Sequence, residues 1–308
     1  MPSPNEFSAV TIRCQSVGTH AVAVCGEGEG HPDVYPPMRQ TWAGIAAAYG
    51  TYTSPLRPAR EDLEIVERAA GHWSRGHPNS AMRALLLGAT PGIATLRWPT
   101  GATLLAVDSS LPVIQAIWPG NVRSRRLAAC GSWLAMPIRS RSCDFVTGDG
   151  SFNALRYPED WHTAAAAMHD VLRDGGMLVT RCYVRLDQPE TPDDVIRELL
   201  GRGIRDINHF KFRLFVAMQR SVEAGAAVRD TYCFLRDHVS DDVLREMPGW
   251  SRAAVDGFSF WRDADTVYTF PTVSEINRVF THYLRYRAAC VPTYALGTSC
   301  PTLSFVRE

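Results

Sequence analysis

The sequence predicts an α/β protein: a doubly wound, mostly parallel sheet with a helical insertion late in the chain. Three observations carry that prediction. Between residues 84 and 184, apolar runs alternate with segments of helical period, in the order strand, helix, strand, helix, strand, helix, strand. That alternation places helices on both faces of a parallel sheet. The runs are short and continuously apolar, as suits strands buried on both faces. The first of them ends at Gly88, and the next ends twenty positions later at Asp108.

Taken in order, residues 1–37 read as a loosely docked or poorly ordered arm without a role of its own. Residues 21–25 could form a strand there, but the glycines of 26–30 and Pro32, Pro36 and Pro37 break the pattern. Over 38–52, Trp42, Ile45 and Tyr49 recur at spacings of three and four, one face of a helix. A second helix covers 61–73. The first strand is 84–87. Gly88 lets the chain turn sharply and lets a ligand approach the backbone, and Pro91 suits the entry to a short helix. The second strand, 103–107, ends at Asp108, where a carboxylate can accept both ribose hydroxyls of a nucleoside. A helix over 110–118, a basic connection over 121–129, a strand from 142 into a turn at 149–151, a helix over 161–172 and a strand over 177–184 follow. Asp174-Gly175-Gly176 reads as a helix stop. Past 184 the alternation ends: 191–201, 208–224 and 231–247 look helical, 250–261 is mixed, and Thr272 or Ser274 can cap a helix running to 283. Runs over 284–294 and 302–306 are expected as an antiparallel strand pair.

Composition narrows the function. The formal net charge is zero, which offers no global field to nucleic acid or an anionic membrane. Lys211 is the single lysine, the other basic chains being Arg. Of the eight cysteines no two stand as Cys-x-x-Cys, so neither a zinc nor a redox pair is expected, and a reduced, cytoplasmic setting is. The N-terminus lacks the basic and apolar blocks of a signal peptide. No apolar run approaches the roughly 20 residues that span a bilayer.

Over about 38–184 and 271–308, in order and spacing, the chain resembles the class I S-adenosylmethionine-dependent methyltransferases. The glycine loop is Gly88-Ala89-Thr90-Pro91-Gly92; the ribose acid looks like Asp108, with Ser109 and Ser110 beside it. Gly131-Ser132-Trp133 falls at the adenine contacts, Asp144-Phe145-Val146 at the start of the fourth strand, and Asp149-Gly150-Ser151 at its tip. Leu172-Arg173-Asp174-Gly175-Gly176-Met177-Leu178 resembles the stop before the fifth. The resemblance implies a Rossmann-like sheet of seven strands whose last strand is antiparallel, and S-adenosyl-L-methionine as cofactor, contacted by Gly88, Ala89, Thr90, Asp108, Ser109, Ser132, Trp133, Asp149 and Gly150. Three positions depart from the family pattern. Leu86 stands at the loop's acidic position, which normally helps hold the methionine ammonium; Asp149, backbone carbonyls or water must replace it. Thr90 stands for the middle glycine, and Ser132 for the commoner adenine-binding Asp.

These departures leave two readings: an active enzyme, or a methyltransferase-fold binding or regulatory protein without transfer. A nicotinamide-dependent oxidoreductase would need Gly-x-Gly-x-x-Gly, which is absent. Methyl transfer from a sulfonium is an in-line displacement and asks mainly for alignment, with no metal. The domains are then 1–37 as arm, 38–185 with 271–308 as the methyltransferase domain, and 186–270 as a mainly helical cap on the substrate side. Tyr49 is a candidate pocket residue on a lid helix. His162 and His209 are candidate general bases by position, with Tyr183. Arg181, Arg185, Lys211, Arg213 and Arg220 could orient an anion, although solvated helix faces are the commoner role of such charges. The acceptor is expected to be a small organic molecule or modified peptide of specialised metabolism. Nucleic acid and membrane partners are not expected, and an oligomer is compatible with the sequence.

Overall fold

The computed structural model describes residues 12–17, 20–25, 39–122 and 125–308. Strands β1 (Ile12–Val17) and β2 (His20–Cys25) pair as an antiparallel hairpin. Then come β3 (Arg83–Leu87), β4 (Thr103–Asp108), β5 (Arg126–Cys130), β6 (Cys143–Asp149) and β7 (Leu172–Arg181). The short strands β8 (Ala226–Ala227) and β9 (Val267–Tyr268) form a separate ladder, and β10 (Arg285–Cys290) and β11 (Thr302–Val306) close the main sheet. The sheet order is β1-β2-β5-β4-β3-β6-β7-β11-β10. From β5 to β7 all neighbours are parallel, while β11 runs antiparallel to both β7 and β10. The seven strands from β3 onward are thus the expected sheet, with the terminal strand reversed and the β1–β2 hairpin added beside β5. Residues 21–25 do fall in a strand, β2, paired with β1; residues 1–11, 18–19 and 26–37 of the arm lie outside the described residues.

The helices are α1 (Arg39–Ala48), α2 (Arg60–Gly76), α3 (Pro91–Ala94), α4 (Leu111–Ile117), α5 (Glu159–Val171), α6 (Pro192–Leu200), α7 (Ile207–Met218), α8 (Val228–His238), α9 (Asp241–Arg245), α10 (Arg252–Asp256) and α11 (Val273–Phe280). On one sheet face Trp161 of α5 and Phe280 of α11 pack on Phe152 and Phe305, all four fully buried. On the other, Val66 and Trp73 of α2, Ile93 of α3 and Ile114 of α4 cover Leu86 and Phe145. Each such large apolar side chain contributes about 1.5–3 kcal/mol by leaving water. The 186–270 segment has a cluster of its own, around Phe210, Leu214, Leu235, Leu244 and Phe258, that extends to Phe270 and Cys300.

Several local expectations are corrected. The basic connection over 121–129 contains β5. Its apolar run is too short to announce a strand, but pairing Leu105↔Leu127 and Ala106↔Ala128 satisfies its backbone, and Arg126 donates Nε to the Gly120 carbonyl at 3.0 Å. The helix expected over 208–224 ends at Met218. The one over 231–247 splits in two where the Ser240 hydroxyl caps α9 through the Val243 N–H. Asp174-Gly175-Gly176 is a bulge within β7: Gly175 takes φ +77° and donates its N–H to the Arg307 carbonyl at 2.9 Å. The strand expected over 284–294 stops at Cys290, before Pro292. No helix among the described residues is long and apolar enough to cross a membrane.

Candidate active site

The carboxyl ends of β3, β4, β6 and β7 open into one cleft. The chain leaves β3 towards β4 and β5 on one side, while β6 and β7 lie on the other. That is the switch point at which open α/β sheets bind ligands. The cleft encloses about 1370 Å³ counted to its open mouth, solvent included.

The strand-tip wall is built by two glycine turns and their acids. Gly88 takes φ +96°, its N–H donating to the Val107 carbonyl at 2.8 Å. A Cβ there would stand 3.8 Å from the Asp108 carboxylate and 3.9 Å from the Trp133 ring. Asp108 therefore stands beside the glycine turn, at the tip of the adjacent strand. Its Oδ1 accepts the Ser110 N–H at 2.8 Å. Burial pushes its carboxyl up to about 6, against the pull of the Ser110 and Ala89 backbone N–H groups. Trp133 donates its indole N–H to the Val107 carbonyl at 2.7 Å, which fixes the ring on the cleft. Gly150 takes φ +62°, and a Cβ on it would meet the Tyr183 ring at 2.4 Å. Tyr183 is in turn clamped by Asn153, whose amide donates to the Tyr183 carbonyl at 2.7 Å and whose oxygen accepts its N–H at 3.0 Å.

Behind that wall lies a buried charge cluster. Arg181, 2 % exposed, donates to Asp149 at 2.6 Å, to the Pro55 carbonyl at 2.6 Å and to the Tyr294 hydroxyl at 3.0 Å. Its Nε lies 3.4 Å from Asp62, which also accepts the Tyr294 hydroxyl at 2.9 Å. One guanidinium thus faces two carboxylates. Burial raises the Asp149 carboxyl and the Arg181 charge opposes that rise. Leu86 is 0 % exposed within the sheet core, so an acid is missing at that position and present here instead.

Tyr49, in the turn after α1, lines the cleft. Its hydroxyl is buried without a hydrogen-bond partner, and burial, with Asp149 nearby, pushes it up to about 12. Trp42 and Ala46 of α1 join the same wall, and α1 reaches the insertion where Gly44 meets the Phe260 ring.

Of the residues expected from the sequence, Gly88, Ala89, Thr90, Asp108, Trp133, Asp149, Gly150 and Tyr49 line the cleft together. Ser109 and Ser132 do not line it. The Ser132 hydroxyl accepts the Leu134 N–H at 3.2 Å, and Trp133 takes the wall position. His162 and His209 are not brought there either. The His162 ring packs against His282 and Tyr283 beyond the opposite end of α11, with Nδ1 3.4 Å from the Tyr283 hydroxyl. His209 precedes the part of α7 that supplies the cleft wall, which begins at Lys211. Tyr183 does line the cleft, but burial raises its hydroxyl well above the ordinary value and Arg181 donates to it at 3.3 Å, which makes it a poor base. The expectation of solvated arginines and lysine fails for two of the five: Arg181 and Lys211 are buried. Arg185 pairs with Glu275, and Arg213 with Glu190 and Glu198.

Sequence reasoning missed Asp62. Its signal was available: Asp62, Val66, Ala70 and Trp73 fall on one helical face, so an acid sits in an apolar stripe. The aromatic wall from the insertion, with Phe212, Phe215, Trp261, Tyr268 and Phe270, was expected only as a segment. Among the described residues no group of three or more His, Cys, Asp or Glu could hold a metal.

A family model described as a methyltransferase domain matches residues 85–180, the span from β3 to β7. No curated protein matches the chain. Among solved structures, one described as a Zn-dependent alcohol dehydrogenase from Rhodobacter sphaeroides is similar at TM-score 0.54 and 13% identity, over 88% of this chain and 98% of that one. The CurJ carbon methyltransferase is similar at TM-score 0.50 and 11% identity, over 85% of this chain and 58% of that one. An N-methyltransferase, NodS from Bradyrhizobium japonicum, in complex with S-adenosyl-L-homocysteine, gives TM-score 0.47 at 12% identity, over 88% and 99%. At such identities these likenesses concern the fold. Residues 85–180 thus match a methyltransferase domain, and the sheet order with its reversed closing strand is the Rossmann-like sheet expected from the sequence.

Proposed function

We propose that this protein is an S-adenosylmethionine-dependent methyltransferase acting on a small organic molecule or modified peptide of specialised metabolism, with 186–270 as a cap over the acceptor. The observation that carries this is the Asp108 carboxylate beside the Gly88 turn, in one cleft with the orphaned Tyr49 hydroxyl and the aromatic wall.

The residues present fit the cofactor. A carboxylate at the tip of β4 can accept ribose hydroxyls, and the backbone at Gly88 and Ala89 is open to close approach. Trp133 offers an aromatic face to an adenine, and a buried hydroxyl without a partner is costly until something bonds to it. Asp149 of the Asp149–Arg181–Asp62 cluster offers a carboxylate to an ammonium, the task that Leu86 cannot perform. Bound there, S-adenosylmethionine supplies an electrophilic methyl group. The chain's own residues hold, orient and exclude water: Asp108 and the glycine turn fix one end, Tyr49 and Trp42 close from α1, and the rings of the insertion keep the acceptor side dry. Ser109 and Ser132 are withdrawn from the proposed contacts, and no histidine base is proposed.

A small acceptor is supported by the enclosed aromatic wall and the absence of a basic stripe along it. A reducing, cytoplasmic setting is supported by Cys143, Cys182, Cys233, Cys290 and Cys300, none of them in a disulfide. The second reading, a binding protein without transfer, is favoured by Leu86 and Thr90. Calorimetry separates the two: micromolar binding of S-adenosylmethionine and S-adenosylhomocysteine by the intact protein is expected, and no heat with either ligand sinks the enzyme.

A further inference from the structure

Lys211 is the single lysine of the chain, and it is 3 % exposed on α7, in the cleft wall. Its ammonium donates one hydrogen bond, to the Ala254 carbonyl at 3.2 Å, and lies 4.8 Å from the Phe258 ring centroid and 5.7 Å from that of Tyr52. An ammonium carries three donors. Among the described residues no carboxylate comes within 4.0 Å of it. Asp206, whose charge still reaches it, is engaged in capping α7 through the N–H groups of Asn208 and His209. The contrast with the other inward-facing cations is sharp: Arg181 has Asp149 and Asp62, Arg213 has Glu190 and Glu198, Arg185 has Glu275. An ammonium buried without a countercharge is expensive and is normally paired. Aromatic faces and one carbonyl offset part of that cost; an anion entering the cleft would offset the rest.

The surroundings set the shape of that anion. The cleft lined by Lys211 is also lined by Tyr52, Phe212, Phe215 and Tyr268, flat rings that favour a flat partner. We propose that Lys211 anchors an anionic oxygen of the methyl acceptor, and that the acceptor is a flat aromatic acid lying among these rings. This assignment rests on the methyltransferase reading of the cleft. Burial holds the Lys211 ammonium down to about 8, so it still carries its proton at neutral pH, and a bound anion shifts that value upward. The charged and titratable groups around it are Asp206 at the start of its own helix and the hydroxyls of Tyr52 and Tyr268, both raised by burial.

A single lysine makes the test direct. Full-length protein grown on ¹³C-lysine gives one lysine side-chain signal, followed while naphthalene-2-carboxylate or the isosteric naphthalene-2-carboxamide is added. The carboxylate should move that signal and raise the Lys211 midpoint by about one pH unit, and the carboxamide should not. By calorimetry, wild type should prefer the carboxylate by about tenfold or more, as suits a charge-assisted bond. Lys211→Met should bring the two probes level, and Lys211→Arg should keep the preference. Equal binding of both probes to wild type, a preference that survives in Lys211→Met, an unmoved lysine signal, or no binding of either probe overturns the assignment. The signal is read on wild type, so the test does not depend on the variants folding. S-adenosylhomocysteine titrated alone reports on the cofactor site separately. Its binding stands whatever the aromatic acids do, and its failure beside a carboxylate-selective lysine signal leaves an anion site in a protein that does not bind the cofactor.

Discussion

The strand-tip wall of the cleft consists of glycine turns, carboxylates and one buried ion cluster, whereas the wall from the insertion consists of rings around one lysine. The difference lies in how each wall gets its charge settled. On the first, Arg181 meets two acids, Asp108 accepts the Ser110 N–H and the Gly88 N–H donates to the Val107 carbonyl. On the second, Lys211 has a single carbonyl. A wall whose buried cation is held between acids can keep its shape before any ligand arrives, and a wall with an ammonium lacking a countercharge discriminates among ligands. Under the proposed function, cofactor binding uses the first property and acceptor choice the second.

The largest expected effect probes the matched wall. Arg181→Met leaves Asp149 and Asp62 buried without their cation, and urea unfolding should show a loss of about 3–5 kcal/mol. A loss under about 1 kcal/mol would mean that the cluster is not what holds α2 against β7, and the contrast between the two walls would fall.

Asp108 should reveal itself through pH. Its carboxyl is raised from 3.8 to about 6 in the folded protein. Between those values the folded state keeps a proton that the unfolded chain has released. Its contribution to stability is therefore fully present below about pH 4 and is lost as pH rises through about 6, by roughly 2–3 kcal/mol in the ligand-free protein. Asp108→Asn should flatten that part of the stability profile. The same variant should bind S-adenosylhomocysteine about 10- to 100-fold more weakly at neutral pH, because a hydrogen bond to an ionised acceptor is lost. Unchanged affinity would remove Asp108 from the cofactor site.

Gly150→Ala forces a side chain to φ +62° and into the Tyr183 ring. It should cost about 1–3 kcal/mol of stability, measured by thermal or urea unfolding. Tyr183 belongs to both walls, so weakened cofactor binding in this variant would couple them. Tyr49→Phe is the smallest change. It removes a buried hydroxyl that has no partner in the ligand-free protein, so stability should stay within about 0.5 kcal/mol. Affinity for S-adenosylhomocysteine should fall by about 0.5–1.5 kcal/mol if the hydroxyl meets the cofactor. Equal affinity and turnover would reduce Tyr49 to packing.

The amino-acid order alone determined the alternating sheet, the turn at Gly88 and the carboxylate at Asp108. Each depends on neighbours within a few positions: apolar runs choose strands, a residue without Cβ chooses the sharp turn, and the strand end places the acid. Tertiary structure decided the rest. Strand β5 exists because β4 is beside it, since Leu127 to Cys130 is too short a run to declare itself. Arg181, Asp149 and Asp62 come from three distant elements, and only packing makes them one cluster. His162 and His209 resembled catalytic bases only while their surroundings were unknown, because the role of a titratable group depends on what it faces. Lys211 reads in the sequence as one more cation on a helix. Its lack of a countercharge is a sum over everything folded around it, which no local pattern contains.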